Sequence, residues 1–480
     1  MRREVLLLIA RQFWVSTFKS KGIFLLMGIM VVLLVYAVYS GVGYHDQNHF
    51  RIDHQEKARE SWEGNPDKHP HRMAHFGTFA FRLKHPLSVF DFGIESYTGN
   101  AVFLEAHRQN VANFSEAGFS TGLLRFGELS MGMILQMILP LIIFFLGYAS
   151  IVSDRENGTL KVLLTQGASW KEILFGRSIG LFGISCLFVI PFLVVTAILL
   201  ILEEHSVDDQ WVRLSFLSLS YIVFSFVLSL LTISVSARSQ SSKSALIKLL
   251  GLWLFMIVIL PRASQALGTY FHPSPSKLEF RAAIEEEIIQ YGDSHDPNDE
   301  HFAALRDSVL RANNVDSISQ LSFNYGGLVM REGEKISASI FNEHQQQLVS
   351  IYRDQNQLTR SLILLNPYLA IKNLSMTLCG TDFESYVDFQ NQAEDYRYSL
   401  AQKMNELQIK YISPKRVSGS EGKVYVVDKS EWKAFPDFKH QFQNIQHSLE
   451  NELISIVSLL IWLVLAVWVI LYLSRKSTAL

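Results

Sequence analysis

Cysteine is almost absent from this 480-residue chain. Only Cys186, inside an apolar run, and Cys379, in a polar stretch, occur, so no disulfide framework is expected. Strong net charge is missing too. Lys and Arg total 43 against 45 Asp and Glu, and a balance of −2 leaves no electrostatic footprint for nucleic acid. There is no Gly-x-x-x-x-Gly-Lys-Ser/Thr loop; the pair Gly422-Lys423 is followed by Val424. Any ATP-driven work would therefore need a nucleotide site on another chain. Neither a Gly-x-Ser-x-Gly nucleophile turn nor an internal repeat is found. Charge is lacking where it would matter most for ion coupling: Leu129 to Val152 and Ser178 to Leu202 contain no charged residue.

Apolar residues make up 49% of the chain and charged residues 18%, too apolar for an ordinary soluble enzyme and too polar for a chain wholly in lipid. Six runs are long enough to cross a bilayer, which takes about 20 residues: Gly22–Tyr44, Leu129–Val152, Ser178–Leu202, Leu214–Ala237, Ala245–Pro261 and Leu453–Leu473. The fifth is the shortest and carries Lys248 near its start, where the amine can reach the interface. The first run is longer than a signal h-region and lacks a small-residue cleavage site, so it is expected to be an uncleaved span.

Basic residues set the orientation. Arg2, Arg3, Arg11, Lys19 and Lys21 precede the first run, Arg155, Lys161, Lys171 and Arg177 follow the second, and Arg475 and Lys476 follow the last. The third connection holds Glu203, Glu204, Asp208 and Asp209 instead. Both termini are thus expected in the cytoplasm, with residues 45–128 and 262–452 outside and a tail at 474–480. The expected fold class is a polytopic α-helical membrane protein with six transmembrane helices and two periplasmic regions, the second mainly α-helical with minor β. In that second region Phe389, Ala393, Tyr396, Leu400, Met404, Leu407 and Tyr411 repeat at helical spacing, as do Ile340, His344, Leu348, Ile351, Gln355, Leu358 and Leu362. Ser413-Pro414 breaks the pattern, and Lys423–Val427 has the composition of a short strand. Met1 to Lys21 mixes apolar and basic residues as an interfacial helix does, with lipid headgroups as partners.

The connection at 153–177 is more than a hairpin. Asn157-Gly158 is a turn signal, Thr159 is placed to cap a helix, and Leu160, Leu163 and Leu164 fall on one face of it. Gly167 ends that helix and Ser169 can cap the next, from Trp170 to Arg177. So short a helix needs a partner for its apolar face, either another protein or the membrane interface. The segment Arg155-Glu156-Asn157-Gly158-Thr159-Leu160-Lys161-Val162-Leu163-Leu164, between two apolar runs, resembles the cytoplasmic coupling loop of ABC-2-type transporter permeases, with Gly167 where many relatives have proline. The six spans, the amphipathic N-terminal segment, and Asn366-Pro367-Tyr368 and Gly380-Thr381-Asp382 late in the second outer region are similar to the bacterial branch with large periplasmic insertions. The resemblance implies a non-catalytic permease subunit of an exporter in the bacterial inner membrane. It implies pairing with a second permease subunit and docking of a separate ABC ATPase subunit that carries ATP and Mg, with no cofactor on this chain. The docking set it implies is Asp154, Arg155, Glu156, Gly158, Thr159, Leu160, Leu163 and Leu164. A periplasmic accessory protein is a further partner it allows.

Two other features bear on function. Ser218, Ser225, Ser229, Thr232 and Ser236 form a stripe in the fourth run, readable as a polar path or as a close-packing face. Histidines crowd the first outer region; His71 and His75 would share a helix face at a spacing suited to zinc or copper, and Met131, Met133 and Met137 would extend a copper site. These features define two rival readings. One is a membrane sensor with an external helical ligand domain, which expects an inward output domain that the short segment after Leu473 does not supply. The other is a metal-dependent membrane enzyme built on the histidines.

Overall fold

The computed structural model describes residues 1–111, 129–203, 206–294, 296, 298–413 and 425–476. The described helices are α1 (Arg3–Lys19), α2 (Lys21–Glu63), α3 (Pro70–Phe76), α4 (Met131–Gly147), α5 (Val152–Glu156), α6 (Thr159–Thr165), α7 (Trp170–Leu202), α8 (Gln210–Arg238), α9 (Ser242–Trp253) and α10 (Leu260–Phe271). Then come α11 (Lys277–Tyr291), α12 (Glu300–Ala312), α13 (Tyr325–Ser361), α14 (Pro367–Leu378), α15 (Phe383–Tyr411), α16 (Ser430–Lys433), α17 (Ile445–Asn451) and α18 (Leu453–Lys476). Strands β1 (Thr78–Phe81) and β2 (Ala101–Leu104) form one antiparallel pair, with Thr78 opposite Leu104 and Phe81 opposite Ala101.

Six helical stretches are long and apolar enough to cross a membrane: Lys21–Glu63, Met131–Glu156, Trp170–Leu202, Gln210–Arg238, Ser242–Phe271 and Leu453–Arg475. They are the six runs expected, and the molecule is an α-helical protein suited to a membrane. Helix α8 sits at the centre. Leu217, Tyr221, Phe224, Leu228 and Ile233 join one core with Leu135 and Ile142 of α4, Leu181 and Phe188 of α7, and Ala466 and Ile470 of α18. Helix α1 lies across α7, where three glycines open a groove: a Cβ on Gly176 would come within 2.8 Å of the Ile9 Cβ, and one on Gly183 within 2.9 Å of Trp14. Small residues at this spacing let two helix backbones approach closely. The Trp14 indole N–H then donates to Gly180 O at 2.8 Å.

Two helices run well past the ends expected for their spans. Helix α2 does not stop at Tyr44; it is 43 residues long and runs on to Glu63, because 45–63 contains no glycine or proline to end a helix. Pro261 does not end the fifth span either. Without its N–H it interrupts the hydrogen-bond ladder, a π-helical turn spans Leu254–Ile259, and the helix resumes to Phe271.

The two long segments after the first and fifth runs pack together. They share cores: Ala80, Val102 and Leu104 of the hairpin pack with Phe389 and Ala393 of α15 and with Phe438. Trp62, Met73, Ala74 and Ala106 pack with Leu400, Met404 and Trp432. Among the described residues, the paired strands lie in the first segment. Of the expected strand Lys423–Val427, residues 423 and 424 lie outside the described residues, and Val427 makes an isolated bridge to Lys68. Pro414 also lies outside them; α15 ends at Tyr411.

Candidate coupling site

The connection between the second and third spans is built from four local devices. Helix α5 continues the direction of α4 for one turn and ends at Asn157. Gly158 then adopts φ 75, a left-handed conformation that costs a residue with a Cβ about 1 kcal/mol, and α6 starts directly behind it. Thr159 is therefore the first residue of α6 rather than its cap, and its hydroxyl turns back to donate to Asp154 O and Oδ1, both at 3.1 Å. Gly167, at φ 92, closes the far side as expected. Ser169 and Glu172 form a capping box that launches α7: Ser169 N–H donates to Glu172 Oε2 at 2.9 Å and Glu172 N–H to Ser169 Oγ at 3.3 Å.

The apolar face of α6 points inward. Leu160 is buried, with Leu163 and Leu164 partly buried against the core of the spans. These leucines pack α6 against its own chain. The outward side carries Lys161, Val162, Thr165 and Gln166, and Val162 is 52% exposed.

The three consecutive charged residues of α5 each hold a different helix. Asp154 Oδ2 accepts from Arg177 of α7 at 2.6 Å. Arg155 donates to Ser239 O and Ala237 O, both at 2.8 Å, supplying partners to carbonyls that the end of α8 leaves open. Glu156 accepts the N–H of Ser242 at 2.9 Å and that residue's hydroxyl, so a carboxylate sits on the N-terminus of α9. Arg2 adds a fourth tie. Its backbone N–H reaches Glu172 Oε1 at 2.7 Å, and its guanidinium reaches Glu172 Oε2 at 2.9 Å and Gly167 O. The sequence offers no spacing signal for the Arg2–Glu172 or Asp154–Arg177 pair, because the partners lie far apart along the chain.

Most of the hydroxyl stripe of α8 is buried within the chain. Ser225, Ser229 and Thr232 are buried and donate to carbonyls one turn back, on Tyr221, Ser225 and Leu228, at 2.6–2.8 Å. Ser236 Oγ accepts Ile151 N–H at 3.0 Å, joining the stripe to the start of α5. Ser218, nearer the other end, is half-buried. A Cβ on Gly147 would fall 2.5 Å from Thr232 Cγ2, which shows how closely α4 and α8 approach.

At the opposite end of the bundle, Asp91 is a tie that the charge-free spans gave no reason to expect. Its Oδ2 accepts from Gln136 of α4 at 2.9 Å and from Ser375 of α14 at 2.6 Å, and its Oδ1 from Gly93 N–H at 3.1 Å. Gln136 also donates to Tyr221 of α8 at 2.8 Å. Burial pushes the Asp91 carboxyl above its ordinary range, against these hydrogen bonds. His71 and His75 do meet, and His107 joins them; the three offer ring nitrogens within 4.8 Å of one another. Met131 is buried among the spans with Thr196 Oγ1 3.6 Å from its sulfur, in a different core from α3.

The family described as a domain of unknown function (DUF3526) matches residues 277–441, from the start of α11 to the strap that follows α16. No curated protein matches the chain.

Proposed function

We propose that this chain is the membrane-spanning permease subunit of an ABC-2-type exporter, driven by a separate ATPase subunit. One observation carries the reading. A seven-residue helix lies between two spans with an exposed outer side, and its neighbour α5 is bonded to the ends of α7, α8 and α9. A push on α6 would be delivered to four spans at once. The exposed Lys161, Val162, Thr165 and Gln166 form the docking surface, while Asp154, Arg155 and Glu156 transmit rather than dock. The excess of basic residues around α1 and α5–α6 favours the cytoplasmic side of a bacterial inner membrane for this end, with both termini there and the outer body in the periplasm. A second permease subunit completes the transporter. Beside α13 and α14, at the outer ends of the fifth and sixth spans, a cleft of about 860 Å³ lined by Arg353, Arg360, Lys372 and Glu452 is placed to receive cargo or an accessory protein.

The test is co-purification with the ATPase subunit. Val162→Asp leaves the core untouched, so membrane insertion should be normal and stability should shift by less than about 0.5 kcal/mol. Recovery of the ATPase should fall at least tenfold, since about 1.4 kcal/mol at the centre of a small interface suffices. Normal recovery of the ATPase by this variant sinks the docking role.

A further inference from the structure

His71, His75 and His107 come from two chain segments, and the fold brings them together by separate devices. Pro70 starts α3 and the His69 ring caps it, accepting the His71 N–H at 3.2 Å. The four-residue step then puts His71 and His75 on one face, with ring centroids 4.6 Å apart. His107 arrives from beyond β2. The Ala106 N–H donates to Ala74 O at 3.1 Å, and Glu105 and Arg108 bridge across a tight turn. Within that turn His107 has φ 62, a left-handed conformation uncommon for a residue with a Cβ. The turn sets its ring 5.3 Å from both other rings.

What holds His107 in that conformation belongs to the segment matched by the DUF3526 family. Glu334 of α13, fully buried, accepts the His107 N–H on Oε2 at 2.9 Å, and the same oxygen lies 3.5 Å from His107 Nδ1. Its other oxygen accepts from Arg397 of α15 at 2.6 Å. A carboxylate beside Nδ1 keeps the ring proton there and leaves Nε2 as the electron-pair donor, the arrangement found behind metal-binding histidines. Arg397 is itself gripped by both oxygens of Glu394 at 2.7 Å, so the supporting shell is rigid.

We propose that His71, His75 and His107 bind one divalent late-transition-metal ion, zinc or copper, which clasps the first outer segment onto the second. Imidazole nitrogens suit these two metals, and three of them leave a fourth position for water or a ligand. Around a tetrahedral ion at about 2.0–2.1 Å the nitrogens would lie about 3.4 Å apart. Nitrogens within 4.8 Å of each other therefore close by up to about 1.4 Å, a movement that rotation of the exposed His75 ring can supply. The clasp would join α3, the turn after β2 and, through Glu334, helices α13 and α15. His75 is exposed, so the site is open to exchange with ions from outside.

The experiment uses the full-length protein in detergent, stripped with chelator and dialysed in separate arms against Zn(II) and Cu(II). Metal is counted after gel filtration. One equivalent retained in either arm supports the site, and the arm that retains it identifies the ion. His75→Ala and His107→Ala should each lower the affinity at least tenfold, while His272→Ala, on the exposed end of α10, should not. Because His75 is exposed, its alanine variant should melt like the stripped wild type, and the ion should raise the melting temperature of the wild type alone. Less than a tenth of an equivalent in both arms, or equal retention by His75→Ala and His107→Ala, overturns the proposal.

Discussion

The two ends of the helical bundle are fastened by opposite means. At the α5–α6 end the ties are single charged side chains reaching helix termini near the surface: Asp154 is 22% exposed and Arg2 60%. At the opposite end the ties are buried. Arg397 is 1% exposed and Glu334 not at all, and Asp91 sits within a closed set of donors. Water and salt weaken the first kind of bond and hardly reach the second. The difference teaches that one end can shift by exchanging a few bonds with water, whereas the other moves as a unit.

The sharpest attempt to break this contrast is Arg397→Met. It leaves Glu334 buried with its partner removed, which costs about 3–5 kcal/mol. Denaturant titration of the detergent-solubilised protein, read by the fluorescence of the buried Trp62 and Trp432, should register that loss. A loss under about 1 kcal/mol would mean that the outer end is no more rigid than the inner.

An effect of middle size comes from pH. Burial, with Arg82 nearby, holds His440 down to about 3, and its Nδ1 accepts the Leu83 N–H at 3.2 Å. The unfolded chain binds the proton with the ordinary value of 6.5. Below that value the unfolded state takes up a proton that the folded state refuses, so stability is present above pH 6.5 and drains as pH falls. Lowering the pH from 8 to 5.5 should cost about 1.4 kcal/mol from His440. His85, also lowered by burial, adds in the same direction. His440→Asn, which keeps an acceptor, should flatten the slope measured by denaturation at the two pH values.

The smallest expected effect is at the other end. Asp154→Asn removes one charge from a partly exposed pair with Arg177 and should cost about 0.5–1 kcal/mol. Its signature should be functional: the ATPase still co-purifies, but stimulation of its activity in the reconstituted complex falls. A large stability loss with unchanged stimulation would reverse the contrast.

The long apolar helices were legible because about 20 apolar residues without charge admit few other uses, and the turn–helix–turn at 157–170 was legible from Gly158, Gly167 and Ser169. What stayed hidden depended on contacts distant in sequence. The spacing of Leu160, Leu163 and Leu164 gives an apolar face but not which body covers it. Pro261 reads as a helix end unless the next residues are seen to resume through a π turn. His71 and His75 share a helix spacing, yet His107 is recruited by a backbone bond from Ala106 to Ala74 that no local pattern signals. The union of the two outer segments was unreadable for the same reason, since half of each shared core lies on the other segment.

Helix α2 has a mechanical consequence. Its 43 residues make a rod of about 65 Å. The far third is embedded: Arg51 donates to Arg82 O at 2.7 Å, Arg59 to Lys433 O at 2.9 Å, and Trp62 to Trp432 O at 3.2 Å. A rod this long is a lever. Tilted by about 5° around its α1 end, it would carry those anchors by roughly 4–5 Å, close to the pitch of one helical turn. A small rotation at the base would be geared up into a stroke large enough to reshape the outer body without any intermediate messenger.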